Sequence, residues 1–404
     1  MSSGFRKFLL LWAGELISSI GGGLTSFGLG VYVFNKTGSA AGMALVTLLG
    51  FLPTLLLSVP AGVLADRYDR RLLMMIGDGC SGLGILYILI CMRNGASLAQ
   101  ICAGVFVSAV FSSLLEPSYR ATITDILSKE EFSRASGLVS LAGSARYLFS
   151  PVIAGFLLAV SDISLLLIID ICTFFVTIVA TAIVRKGIKA KSGEARASFL
   201  GSLNEGWQVV HGSRGLFLLI MASSMVTLFM GILQILVEPM VLSFADAKTL
   251  GITETICACG MLVSGLALGI FGIKKGYVRI LQIAFFLAGL FMVGIALFEN
   301  ILPICLFGFL FFAMLPLANN CLDYLARTNI PDELQGRAWG FIGFLSQLGY
   351  VVAYAVSGLA ADILGNATGY GVGRGAALMI LLAGVLLSAT ALTLLRHPGI
   401  KELE

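Results

Sequence analysis

The sequence predicts an all-α membrane protein of 12 transmembrane helices in two pseudo-symmetric six-helix bundles. Hydrophobic residues make up 58% of the 404 and only 12% are Asp, Glu, Lys or Arg. With a mean hydropathy of +0.98, most of the surface cannot face water. The apolar residues come in continuous runs, not in the alternation of a transmembrane barrel. Backbone groups in lipid must satisfy one another, so these runs are helices, each needing about 20 residues to cross ~30 Å of hydrocarbon. The longest polar stretch, 185–213, divides the runs six and six.

The first half holds spans near 8–33, 40–65, 72–92, 97–122, 135–160 and 163–184. The second holds spans near 215–239, 250–273, 277–298, 301–326, 338–362 and 373–395. The first span follows Arg6 and Lys7 but is too long for a signal peptide and lacks a small-residue cleavage site, so it reads as a mature helix. The domain boundaries are 1–184 for one bundle, 185–213 for a cytoplasmic linker and 214–404 for the other. Glu130, Arg134, Ala135 and Gly137 recur at Glu333, Arg337, Ala338 and Gly340, an offset of 203 residues that also carries Gly62 onto Gly265 and Gly155 onto Gly358. Parallel six-helix repeats with a substrate site between them near the midplane are a transporter design.

With a cytoplasmic start, 21 of the 26 Lys and Arg fall in the inner segments, among them Arg67, Arg70, Arg71, Arg185 and Lys274. That bias orients a multi-pass protein of the cell membrane with both termini cytoplasmic. The net charge of +4 therefore reports topology and contact with anionic lipid, not nucleic acid. The eight cysteines lie in or beside apolar spans and read as packing residues; no metal site is expected. No histidine cluster, nucleophile elbow or phosphate-binding loop is present, which leaves an intramembrane hydrolase or an ATP-driven pump without support. No bound cofactor is expected, and the energy source is an ion gradient.

Between the second and third spans runs Gly62-Val-Leu-Ala-Asp-Arg-Tyr-Asp-Arg-Arg71. It resembles the loop signature of the major facilitator superfamily: Gly62, Leu64, Ala65, Asp66, Arg67, Arg70 and Arg71 match, while Asp69 stands where the broad family prefers glycine. Leu11 to Glu15, Thr37 to Ala40 and Ile168 to Asp170 resemble the macrolide-exporter branch, although Glu15 replaces a glutamine common there. The resemblance implies the major facilitator fold and a cytoplasmic latch, with Asp66 facing the N-terminal end of the eleventh helix and an arginine pairing with an acid near the fourth, here Asp125. An anion at a helix N-terminus is physically favourable. Pro151 and Gly155, with Ser150 and Ala154, resemble the family's antiporter motif, whose small residues let the fifth helix approach its counterpart.

Ionisable side chains inside spans are costly and mark function or a partner. Glu15 lies in the first span, Glu116 and Arg120 share a face of the fourth, and Asn319 and Asp323 occupy the repeat-equivalent positions in the tenth. In the resembled family the first, fourth, seventh and tenth helices line the central cavity, so these residues, with Gln234 of the seventh, are candidates for the substrate site. Snorkelling end charges explain Arg120 and Asp323 equally well. Arg146 is the deepest cation; Glu15 is its favoured partner and Asp170 the structural alternative. A buried carboxylate beside an arginine can alternate between paired and protonated states as water access changes, which makes Glu15, Arg146, Glu116 and Asp323 the proton-coupling candidates. A permanent ion pair joining two helices accounts for the same residues.

The resemblance implies a monomeric, proton-coupled exporter of small amphiphilic, macrolide-like compounds working in the lipid bilayer by alternating access. An uptake symporter, a siderophore exporter or a lipid translocator remains an alternative, as does a transport-inactive sensor or assembly partner.

Overall fold

The computed structural model describes residues 2–185, 214–330, 335–393 and 398–403. In chain order the helices are α1 (Ser3–Thr37), α2 (Ala40–Arg67), α3 (Arg70–Met92), α4 (Leu98–Ser112), α5 (Leu115–Ile126), α6 (Lys129–Val160) and α7 (Ile163–Arg185). They continue with α8 (Arg214–Leu242), α9 (Ala247–Phe271), α10 (Tyr277–Leu297), α11 (Ile301–Thr328), α12 (Gln335–Thr368), α13 (Val372–Thr393) and the short α14 (Pro398–Lys401). With α4 and α5 taken as one crossing, 12 spans among the described residues are long and apolar enough to cross a membrane. Beyond Arg185, the expected linker lies outside the described residues.

Local chemistry sets several boundaries. Ser97 with Gln100 and Ser128 with Glu131 form reciprocal capping boxes at the starts of α4 and α6, satisfying backbone donors that have no intrahelical partner. The Ser2 hydroxyl also donates to Glu131 at 2.6 Å, and this bond holds the carboxyl below its ordinary range. The fourth span departs from the continuous helix expected over 97–122. It breaks at Ser113–Leu114 because Pro117 has no N–H to offer the Ser113 carbonyl one turn back.

The chain forms two compact units. The first holds α1 to Lys36, α2 from Leu45, and α3 to α7; the second holds Thr37–Ala44 and α8 to α14. Both repeat the same pairings. In the first unit α3 packs on α4 and α7; in the second α10 packs on α11 and α13. Glycine permits the closest approaches: a methyl on Gly84 of α3 would lie 2.7 Å from the Gly104 carbonyl oxygen of α4, and one on Gly289 of α10 2.5 Å from that of Gly384 on α13. Small residues at such crossings let helices approach where lipid provides no hydrophobic drive. Large apolar side chains such as Val160, Ile270 and Leu302 are strongly exposed, as lipid-facing residues are.

Within the second unit, Asp362 of α12 caps the first turn of α2. Its carboxylate accepts from the Ala40 N–H at 2.8 Å, the Ala41 N–H at 3.1 Å and the Ser39 hydroxyl at 2.5 Å. The bond to Ser39 and those to two free helix N–H groups place a negative charge at the positive end of the α2 dipole. Asp362→Ala should destabilise this contact by about 1–2 kcal/mol, as loss of an N-cap does. Amide hydrogen exchange over residues 39–44 should rise; unchanged protection there would show that the cap carries no weight.

Candidate functional site

Asp69, which departs from the family's glycine, is the N-cap of α3: it accepts from the Arg71 N–H at 3.1 Å. Its other oxygen accepts from Arg185 Nε at 2.7 Å, tying the end of α7 to the loop. Arg70 and Arg71 converge on Asp125 of α5, at 2.9 and 3.3 Å. Arg70 further donates to the carbonyls of Ala65 and Ala121 and lies 3.6 Å from Asp66. Arg71 is only 2% exposed, so its charge depends on these carboxylates. Asp66 and Arg67 are exposed, and a methyl on Gly62 would meet open space. The expected counterpart of Asp66, the start of the eleventh helix, falls at 331–340, where residues 331–334 and the side chains of 335–340 lie outside the described structure.

Deeper in the same unit, Asp170, Thr173, Thr177 and Thr181 repeat at three- and four-residue spacing on one face of α7. All four are buried, so the stripe is an interior polar face. Asp170, 1% exposed, accepts from the Thr25 hydroxyl of α1 at 2.6 Å. Gly21 makes this approach possible, since a methyl there would lie 2.9 Å from Asp170 Oδ1. Asp78 of α3, 3% exposed, lies beside Thr177 and acts electrostatically on both Glu15 and Asp170. Glu15 hydrogen-bonds Ser19 and interacts with Glu116. Four carboxylates on four helices, Glu116, Glu15, Asp78 and Asp170, thus form one electrostatic string, with Arg146 of α6 acting on its Asp170 end.

Of the two acids weighed for it, Arg146 acts electrostatically on Asp170. Its side chain runs beside Gly23, with Cγ 3.1 Å from where a methyl would sit. That level is eight residues along α1 from Glu15, about 12 Å at the helical rise. Arg146 is also exposed. Glu116 and Arg120 pair at 2.8 Å across one turn, both largely exposed; such pairs contribute little stability. Pro151 and Gly155 are buried, and the neighbouring Ser150 donates to the Ile20 carbonyl of α1 at 3.0 Å.

In the second unit, Gln234 accepts from the Tyr354 hydroxyl at 2.7 Å. Asn319 and Asp323 are exposed, and Asp323 has Arg327 as its electrostatic neighbour one turn on. Sequence reasoning passed over three acids that the same criterion would have found: Asp78 in the third span, and Glu238 and Glu254 in the seventh and eighth. Glu238 and Glu254 interact with each other. All eight cysteines are free, and no group of three or more metal-ligating side chains occurs among the described residues.

Twelve candidate crossings among the described residues, in two units that both hold acids within their spans, define a multi-pass membrane protein. Residues 11–354 match the Major Facilitator Superfamily, and the chain belongs to this family of transporters; it is not an enzyme. It is 26% identical to Macrolide efflux protein A of Streptococcus pyogenes over 89% of this chain and 90% of that protein. To the Staphyloferrin A transporter of Staphylococcus aureus it is 26% identical over 74% of this chain and 73% of the relative. Among solved structures it resembles a bacterial homologue of the iron transporter ferroportin, with a TM-score of 0.77 and 14% identity over 98% and 100% of the two chains.

Proposed function

We propose that the protein exports hydrophobic or amphiphilic compounds of the macrolide type across the cell membrane in exchange for protons. Its two six-helix units alternate access to the substrate, both termini lie in the cytoplasm, and the proton gradient is the energy source. The protein works as a monomer, without a bound cofactor. The carboxylate string Glu116, Glu15, Asp78 and Asp170 carries the coupling part of this reading. Buried carboxyls that act on one another do not all stay ionised away from water, so Glu15, Asp78 and Asp170 take up and release protons as water reaches them. The Thr25 hydroxyl of α1 holds the Asp170 carboxylate in place. The cargo rests on similarity to the macrolide efflux protein over about nine-tenths of both chains. Similarity to the Staphyloferrin A transporter favours a second cargo, a staphyloferrin-like compound.

Flux into proteoliposomes under an imposed pH gradient tests the proposal. A radiolabelled macrolide should accumulate on the side from which protons leave, and a protonophore should abolish the accumulation. Accumulation in the direction of proton flow would instead identify an uptake symporter. Movement of staphyloferrin but no macrolide would transfer the reading to the second cargo.

A further inference from the structure

Tyr119 of α5 is 5% exposed, and among the described residues its hydroxyl has no hydrogen-bond partner. A buried hydroxyl left without a partner is costly, so such a group calls for an explanation. Its ring is fixed in an apolar nest with Phe8, Leu11, Met74 and Ile123. Leu11 lies one helical turn from Glu15 on the same side of α1. The ring of Tyr119 therefore packs within one turn of Glu15 on α1, and the two groups interact electrostatically. Every other charged or titratable neighbour of Glu15 is a poor donor for it. Asp78 on α3 and Glu116 on α5 are themselves acids, Arg120 is engaged with Glu116, and Arg146 on α6 acts on Asp170. Ser19, on the same helix, is the donor already in place.

We propose that the Tyr119 hydroxyl is the donor that receives the Glu15 carboxylate when it ionises, making Tyr119 a positioning residue of the proton site. This rests on the reading of Glu15 as a proton carrier. When Glu15 is protonated the bond is open; when the proton leaves, a small rotation of the Glu15 side chain closes it. The hydroxyl gives up no proton. It orients the carboxylate and stabilises its charged form, as a hydrogen bond to an ionised acceptor does.

Tyr119→Phe keeps the ring and removes only the donor, so thermal unfolding should be nearly unchanged. The pH of half-maximal proton-driven transport should move upward by about one unit, the shift expected when one charge-assisted hydrogen bond is lost. The infrared carboxyl band that disappears in Glu15→Gln identifies Glu15 directly, and in Tyr119→Phe its titration midpoint should move upward by a similar amount. If neither the transport profile nor the band moves, the hydroxyl is only a packing group and the proposal is overturned. If the band moves but Glu15→Gln still transports uphill, the contact stands and the reading of Glu15 as the proton carrier falls.

Discussion

Glu15→Gln should abolish uphill transport while leaving substrate binding and downhill exchange measurable. Glutamine keeps the shape of the side chain and its bond to Ser19 but cannot carry a proton. Glu15 sits in the middle of the carboxylate string, acting on Glu116 on one side and Asp78 on the other, so its neutralisation interrupts the string. For one-for-one exchange, an imposed difference of about two pH units supports at most about hundredfold accumulation, since each unit is about 1.4 kcal/mol or a factor of ten. The wild-type protein should approach that limit, and the Glu15→Gln protein should stop at equal concentrations. A variant that still concentrates substrate with the same pH dependence would move the proton site to Asp78, the more deeply buried neighbour.

Asp125→Ala should have the largest effect on stability. Asp125 receives Arg70 and Arg71 together, so its loss leaves two adjacent cations, one of them 2% exposed. Among the described residues, Asp69, 4.0 Å from Arg71, and Asp66, 3.6 Å from Arg70, remain to compensate. Removing one member of a buried pair costs about 3–5 kcal/mol, because a charge is left uncompensated. Thermal unfolding of the detergent-solubilised protein should show the loss. Arg71→Met in the Asp125→Ala background should recover part of it, since the stranded charge is then gone. An unfolding temperature equal to the wild type would mean that the cluster contributes to conformational preference alone.

Some of the site was legible before any coordinates. Glu15 is legible because an acid deep in an apolar run has few structural uses, and the same argument applies with equal force to Asp78, Glu238 and Glu254. The partner of Arg146 was a different kind of question. Depth along a helix can be counted from sequence, but the helix that Arg146 meets, and at which turn, depends on how α6 crosses α1 and α7. Asp69 read as a departure from a family pattern. In the structure its local role is plain, an N-cap carboxylate accepting from the free Arg71 N–H in the first turn of α3. Its bond to Arg185 was not visible, because 116 residues separate the two.

By itself the sequence determined the twelve crossings and the division into two repeated halves. These follow from terms local to each segment: the length of an apolar run against the thickness of hydrocarbon, the cost of an unpaired peptide group in lipid, and caps and prolines acting within one turn. Tertiary structure alone decided that Asp170 meets Thr25, that Asp125 gathers two arginines, that Asp362 caps α2, and that the Tyr119 hydroxyl is buried without a bond. Each of these needs two helices in a particular rotation and height, set by close packing of small residues such as Gly21 against α7. A one-dimensional pattern gives the face of a helix but not the neighbour that the face meets.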